Sequence, residues 1–430
     1  MTILYDLIFA LFAIAYLPYL VFTGRCHRDI LQRFGLYPKD IIENLKWRKV
    51  IWVHAVSVGE VMAARCFCET LLERYPRKRL VISTITKTGN DIAKKFFRER
   101  ATILYLPVDI SFVLNKVFGN IGLESFIIIE TELWPNLITA LDRKGVPITL
   151  INGRISPKSY RRYRRVRFLI EGLLRKITLF CMQNDEYKER IIDMGAPHER
   201  VSVTGNMKFD TAGPPGIVEK LNIEALRGDL GLAEDAELFI AGSTHRPEEE
   251  MIIRIYKDLL VSYPRLKLLI APRHIERASE IEGLIRKFDF NPVKMSNITN
   301  GRNLAVSGTK EILVLDMMGR LSQLFSLATL VFMGGSLIGR GGQNILEPAV
   351  FSKPIIFGPY MFNFKDIAES FLKEDAACMV RDEDELLKLS RRLLEDSGRQ
   401  AELGFHARSL IEKNRGATKR NIESIANILT

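Results

Sequence analysis

Cysteine is scarce in this chain, with five in 430 residues: Cys26, Cys66, Cys68, Cys181 and Cys378. None is spaced as CxxC, so the chain has neither a disulfide framework nor a paired-thiolate zinc motif, and a reducing compartment fits. Cys66 and Cys68 fall in a helical pattern and read as core or surface thiols. The six histidines are scattered, with no HExxH, which leaves no protein-held zinc motif. The glycine-rich stretch near residue 340 is followed by no Gly-Lys-Ser/Thr, so it is not a P-loop. It does not match the dinucleotide fingerprint either. Low-complexity tracts and short repeats are lacking.

What is present is an ordinary globular composition, 47% hydrophobic and 26% charged. At 430 residues the chain exceeds one hydrophobic core and implies two domains. The net charge of +11 is uneven: residues 1–210 hold 33 Lys+Arg against 21 Asp+Glu, and residues 211–430 hold 29 against 30. The first half is therefore suited to something anionic: a membrane surface, a phosphorylated substrate or nucleic acid. Residues 3–22 are apolar except for Asp6 and Pro18, about the length that spans a bilayer. Without a charged n-region or a clear small-residue cleavage site, the run is not expected to be a removed signal peptide. Arg25, His27, Arg28 and Arg33 follow, which keeps the body cytoplasmic by the positive-inside rule. The competing reading is a monotopic or protein-packed helix, for which Asp6 is the evidence.

Beyond this anchor, strand and helix signals alternate. Short apolar runs at 50–53, 80–83, 102–105, 126–129, 148–151, 179–182 and 201–203 predict a parallel sheet covered on both faces. A Pro-Pro pair flanked by glycines at 213–216 marks a linker. Strands then follow at 238–241, 266–270, 312–315, 330–333 and 354–357, and helices at 383–394, 401–414 and 418–429. The expected fold is α/β, two doubly wound Rossmann-like domains facing an interdomain cleft. The expected segments are an anchor over 1–24, a first domain over 25–210, a linker over 211–216 and a second domain over 217–430. The last helix is free to pack back on the first domain. Ligands of such sheets sit beyond the carboxyl ends of the strands, so the residues just after each strand carry the information.

Those residues are polar. HAVSVGE (54–60) follows the first strand. Ser57 and Glu60 have capping-box spacing; alternatively Glu60 is an ionised carboxylate serving as a general base. ETELWPN (130–136) puts two carboxylates after a strand, with Trp134 as an apolar wall or core residue. NGRIS (152–156) and GNMKFD (205–210) bring Arg154 and Lys208. In the second half, GSTHRPEEE, APRHIER with Arg273, and DMMGR (316–320) continue the pattern. VFMGGSLIGRGGQNILEPA (331–349) runs from a strand through two glycine pairs to a helix start at Gln343 and Asn344. Glycines let a backbone approach a ligand, helix-terminal amides suit a phosphate, and Glu347 suits ribose hydroxyls. A glycine-rich turn with Asn344 and Glu347 as a cap is the plainer alternative. Residues 154–176 hold nine basic residues and one acidic one, Glu171. They suit anionic headgroups, a solvated face or, with Tyr160 and Tyr163 stacking, nucleic acid. The neighbouring apolar run favours the membrane over nucleic acid.

Taken in order, HAVSVGE, TxTKTG (84–89), ETELWPN, NGRIS, GNMKFD, GSTHRPEEE, APRH and GGQNILEPA resemble the 3-deoxy-D-manno-oct-2-ulosonic acid (Kdo) transferases of lipopolysaccharide assembly. The resemblance covers most of the chain. It implies a GT-B fold and a metal-independent, inverting transfer of Kdo from CMP-Kdo to the lipid A precursor, without a cofactor, at the cytoplasmic face of the inner membrane. It further implies Glu60 as general base and Glu130 and Lys208 as transition-state stabilisers. The CMP-Kdo site it implies comprises Pro272, Arg273, Met318, Gly319, Arg320, Asn344, Ile345, Leu346 and Glu347. Arg320 departs from the family's usual acidic residue after Met-Gly. Two rivals share the fold: a nucleotide-sugar epimerase, and a membrane-bound nucleotide-sugar binder without turnover.

Overall fold

The computed structural model describes residues 5–6, 28–46, 48–213, 218, 221–299 and 310–429. The expected anchor run lies outside these residues apart from Tyr5 and Asp6, and the Pro-Pro linker lies largely outside them. Among the described residues no helix is long and apolar enough to cross a membrane.

The chain forms two compact units, Met1–Thr211 with Asn414–Thr430, and Ala212–Lys413. In the first, β1 (Val50–His54), β2 (Arg79–Thr84), β3 (Thr102–Tyr105), β4 (Leu123–Ile129), β5 (Ile148–Gly153), β6 (Leu179–Met182) and β7 (Val201–Val203) form one sheet. Its order is β3-β2-β1-β4-β5-β6-β7, and every pairing is parallel. Strand side chains alternate between faces. Val50 and Trp52 of β1, with Phe126 and Ile128 of β4, enter one core; Ile51, Val53, Ile127 and Ile129 enter the other. Both faces are buried, which is why these strands read as unbroken apolar runs rather than alternating ones.

The second unit repeats the plan with β8 (Glu237–Thr244), β9 (Leu266–Pro272), β10 (Asn291–Lys294), β11 (Glu311–Val314), β12 (Leu330–Met333), β13 (Ile355–Phe357) and β14 (Cys378–Met379). The order is β10-β11-β9-β8-β12-β13-β14, again parallel. The edge strands β10 and β14 have no apolar run of their own. The helical signal over 61–75 resolves into two helices, Val58–Ala63 and Arg65–Arg74.

The last helix, Ala417–Ile425, belongs to the first unit. Ala417, Ile422, Ile425 and Leu429 complete the core on one face of that unit's sheet. The Asp210 carboxylate accepts from the amides of Gly416 (2.7 Å) and Thr418 (2.6 Å), capping this helix. Arg420 Nε donates to the Thr204 carbonyl at 2.7 Å. The basic helix Pro157–Arg165 is exposed along its arginines, while Tyr160 and Tyr163 pack against the core.

Candidate active and nucleotide-binding sites

The strand order changes direction between the neighbouring strands β1 and β4 in the first unit and between β8 and β12 in the second. Ligand crevices of open α/β sheets lie at the carboxyl ends of such strands.

In the first unit, Glu60 lies one turn into the helix after β1. Its Oε2 accepts from the Val56 amide at 2.6 Å, and its Oε1 accepts from Ser57 Oγ at 3.2 Å. The Ser57 side chain does not cap the helix in return. Neither bond of a capping box forms, since Glu60 takes the Val56 amide rather than that of Ser57, and the carboxylate is buried at 9% exposure. Burial first, and the charge of Glu130 second, push the Glu60 pKa up to about 8, outweighing the Val56 bond. Desolvation disfavours the charged form, so Glu60 holds a proton more tightly than an ordinary carboxylate does, which makes its ionised form a stronger base.

Glu130 follows β4 directly. Its φ is +61°, a left-handed conformation that costs a non-glycine residue about 1–3 kcal/mol. The turn aims its carboxylate at Lys208, with Nζ 3.7 Å from Oε1. Two residues on, the Glu132 pKa is pushed up to about 7 by burial and then by Glu130, while the Trp134 indole opposes the shift. Trp134 itself packs against the core.

Lys208 is placed by neighbours from the same unit. Asn152, at the end of β5 and also left-handed (φ +54°), is fully buried and accepts from the Met207 amide at 3.0 Å. Asn206 Oδ1 accepts from the Lys208 amide at 2.9 Å. The Asp210 cap fixes the far side of the turn. Arg154 is clasped through its backbone: its amide donates to Thr131 Oγ1 at 3.1 Å, and that hydroxyl donates to the Arg154 carbonyl at 2.6 Å. The predicted trio Glu60, Glu130 and Lys208 thus comes together, with Glu132 as a fourth charged group.

The second unit corrects the reading of the glycine-rich loop. A Cβ on Gly334 would sit 2.5 Å from Thr244 Cα; one on Gly341 would meet Asn363 at 2.3 Å, and one on Gly342 would meet Met361 at 2.2 Å. These glycines make room for the protein's own chain. Glu248 uses up the amides of the first pair's loop: its buried carboxylate accepts from Gly335, Ser336, Leu337 and His245 at 2.7–3.1 Å. The helix expected at Gln343–Asn344 starts at Leu346 and is four residues long, too short for much of a macrodipole. Asn344 Oδ1 already accepts from the Leu346 amide at 3.2 Å.

The predicted nucleotide residues separate into groups. Asn344 Nδ2 donates to Glu347 Oε1 at 3.1 Å; burial raises the Glu347 pKa, and Asn344 and Arg273 counter it. Arg273, Asn344 and Glu347 are therefore neighbours. The Arg273 side chain is exposed, just past the buried Pro272 that ends β9. Ile345 and Leu346 are fully buried, so only their backbone could meet a ligand. Met318 is exposed, and Gly319 (φ +80°) has open space where a Cβ would stand. Arg320 is turned to Asp229, 3.6 Å from Oδ2.

The motif reading missed a cavity of about 390 Å³ lined by His245, Arg246, His274, Arg277, Glu280 and Arg340. This is within the size range of small-ligand sites. Arg277 is paired with Glu249 (2.7 Å) and Glu280 (3.1 Å), and the His245 and His274 rings are 6.0 Å apart. Burial, then His274 and Arg340, lowers the His245 pKa. The signal lay in GSTHRPEEE and APRHIER, whose histidines and second arginine follow the same strand ends. Among the described residues no group of three His, Cys, Asp or Glu side chains could hold a metal ion.

Residues 28–211 match the family model described as 3-deoxy-D-manno-octulosonic-acid transferase (kdotransferase). The 3-deoxy-D-manno-octulosonic acid transferase of Haemophilus influenzae is 32% identical over 93% of this chain and 91% of its own length. A bifunctional glycosyltransferase/methyltransferase of Fusobacterium nucleatum is 35% identical over 86% of this chain, which spans 56% of that protein. The UDP-GlcNAc 2-epimerase of Neisseria meningitidis, solved bound to UDP-GlcNAc, superposes with a TM-score of 0.56 at 13% identity, covering 88% of this chain and all of that one. Two parallel seven-stranded sheets with this neighbour define a GT-B-type α/β fold. Within that class, the chain belongs to the 3-deoxy-D-manno-octulosonic acid transferase family.

Proposed function

We propose that the protein transfers Kdo from CMP-Kdo to the lipid A precursor (lipid IVA), inverting the anomeric centre. The observation that carries this reading is the meeting of Glu60, Glu130 and Lys208 at the β1/β4 switch point of a family member. Glu60, a carboxylate with its pKa raised toward working pH, takes the proton of the acceptor hydroxyl as that oxygen attacks the anomeric carbon. The bond from that carbon to the CMP phosphate oxygen breaks, and CMP leaves with the electron pair. Lys208 and Glu130 stabilise charge on the reacting sugar. Arg273 takes the phosphate, Glu347 the ribose hydroxyls, and the backbone at Met318–Gly319 and Asn344–Leu346 the nucleotide's remaining polar groups. Arg320 contributes through its backbone, its guanidinium being matched by Asp229. A single phosphate held by arginine and amides needs no metal.

The acceptor is a lipid, and the proposed location is the cytoplasmic face of the inner membrane. The apolar N-terminal run and the exposed arginines of Pro157–Arg165 support that location. The test is to incubate the purified chain with CMP-Kdo and lipid IVA. CMP release coupled to a lipid heavier by one or more Kdo units is expected. CMP-Kdo consumed with no heavier lipid, or no consumption at all, would refute the transfer.

A further inference from the structure

The cavity that holds His245, His274, Arg277 and Arg340 has no part in the reaction derived above. It lies at the carboxyl ends of three strands of the second unit. His245 follows β8 directly, His274 stands two residues past β9, and Arg340 is in the loop after β12. Two of these side chains converge with Gln343 over Gly335, which is left-handed at φ +68°. A Cβ there would meet His245 at 3.2 Å, Gln343 at 3.3 Å and Arg340 at 3.5 Å. Gln343 Nε2 and His245 Nε2 are themselves 3.3 Å apart, within hydrogen-bond distance.

The charges in the cavity do not balance. Arg277 is shared between Glu249 at 2.7 Å and Glu280 at 3.1 Å, and Arg246 pairs with Glu280. Two arginines thus meet two carboxylates. Arg340 is the remaining cation: it is exposed and, among the described residues, has no carboxylate partner. An anion entering here would meet that guanidinium and two imidazole rings. The loop's own amides are taken, since Glu248 accepts from Gly335, Ser336 and Leu337. Side chains must therefore do the binding.

The cavity adjoins the residues assigned to the nucleotide. His274 follows Arg273 in the chain, and Gln343 precedes Asn344. Kdo is a 2-ulosonic acid, so its carboxyl carbon is bonded to the anomeric carbon. In CMP-Kdo that same anomeric carbon carries the phosphate ester oxygen. A phosphate held at Arg273 therefore puts the sugar carboxylate close beside it, where a second cation is needed. The planar fork of an arginine matches a carboxylate.

We propose that Arg340, with the His245 and His274 rings, forms the subsite for the carboxylate of the donor sugar, and so selects a CMP-linked 2-ulosonic acid over a nucleotide carrying a neutral sugar. This rests on the reading of CMP-Kdo as donor given above, and adds to it a group that recognises the sugar rather than the nucleotide. A neutral sugar leaves Arg340 without an anion and forfeits its charge-assisted bonds.

The experiment is calorimetric titration of the full chain with CMP and with freshly made CMP-Kdo. Arg340→Ala is expected to weaken CMP-Kdo binding by about ten- to a hundred-fold, with CMP binding within a few-fold of the parent. Retained CMP binding also shows that the variant is folded. Arg340→Lys, which keeps the charge and loses the fork, is expected to fall between the two. Equal weakening of both ligands overturns the proposal, because Arg340 would then serve the nucleotide. Unchanged CMP-Kdo binding in Arg340→Ala overturns it as well. A parent that binds CMP but not CMP-Kdo overturns the subsite together with the donor. A parent that shows the Arg340 difference yet builds no heavier lipid loses only the transfer reading.

Discussion

Lys208 Nζ lies 3.7 Å from Glu130 Oε1, and both side chains are largely shielded from solvent. The pair joins two turns nearly eighty residues apart, one made by a left-handed Glu130 and the other hung from Asn152 and Asp210. Breaking it by Lys208→Ala leaves the Glu130 carboxylate shielded without its cation. Turnover is expected to fall by two orders of magnitude or more, with CMP affinity within a few-fold of the parent by calorimetry. A collapse of CMP affinity would contradict the division of roles between the units.

Glu60→Gln keeps the shape of the side chain and removes its basicity. A loss of about 10²–10⁴ in kcat is expected. Stability should move the other way. The folded pKa of Glu60 is raised to about 8, so its contribution is fully present below the ordinary carboxylate range and is lost as pH rises toward 8. The Gln variant should therefore melt above the parent at pH 8, with the gap closing at pH 5. A gap that widens on acidification would remove burial as the cause of the shift.

Glu130 is the second cause of the Glu60 shift. Glu130→Gln takes away a like charge, and the Glu60 pKa falls. The alkaline rise of kcat against pH is expected to move to lower pH in this variant, even as kcat itself drops. An unmoved profile would show that the two carboxylates do not sense each other in the working enzyme.

Arg273→Ala should act on the nucleotide. Arg273 neighbours Glu347 and is exposed at the end of β9. A charge-assisted bond to phosphate contributes about 1.5–3 kcal/mol, so CMP binding is expected to weaken by roughly ten- to a hundred-fold. Full activity in excess chelator is expected for the parent and for Asp382→Ala. Asp382 caps the helix Glu383–Glu395 through the Glu385 amide at 2.9 Å. A magnesium requirement that follows the enzyme rather than the lipid dispersion would overturn the metal-free mechanism.

Much of the molecule was legible in the sequence because parallel strands buried on both faces leave unbroken apolar runs, and the polar residues after them are easy to find. That logic located Glu60, Glu130, Lys208 and Arg273. It failed where no apolar run exists, as in β10, which carries Pro292 at a sheet edge, and in β14, which has two residues. It also failed where one side chain does several things at long range. Glu248 reads as an ordinary first-turn acid, yet its carboxylate binds the loop around Gly335, 87 residues away. Asp210 reads as the end of a motif, yet it caps a helix 206 residues later. Gly334, Gly341 and Gly342 are ambiguous for a related reason: a close approach to the protein's own backbone or side chains leaves the same sequence mark as an approach to a ligand.

The order of synthesis follows from the last helix. Residues 212–413 can form their own sheet as soon as they leave the ribosome, since every strand of that unit lies within them. The first unit emerges earlier but cannot finish earlier. One face of its sheet waits for Ile422, Ile425 and Leu429, which are synthesised after every strand of the second unit. Until then a nascent apolar surface stands open to chaperones and to neighbouring chains. Nonsense codons in the final stretch, or tags that obstruct it, would therefore damage the half of the enzyme that was translated first.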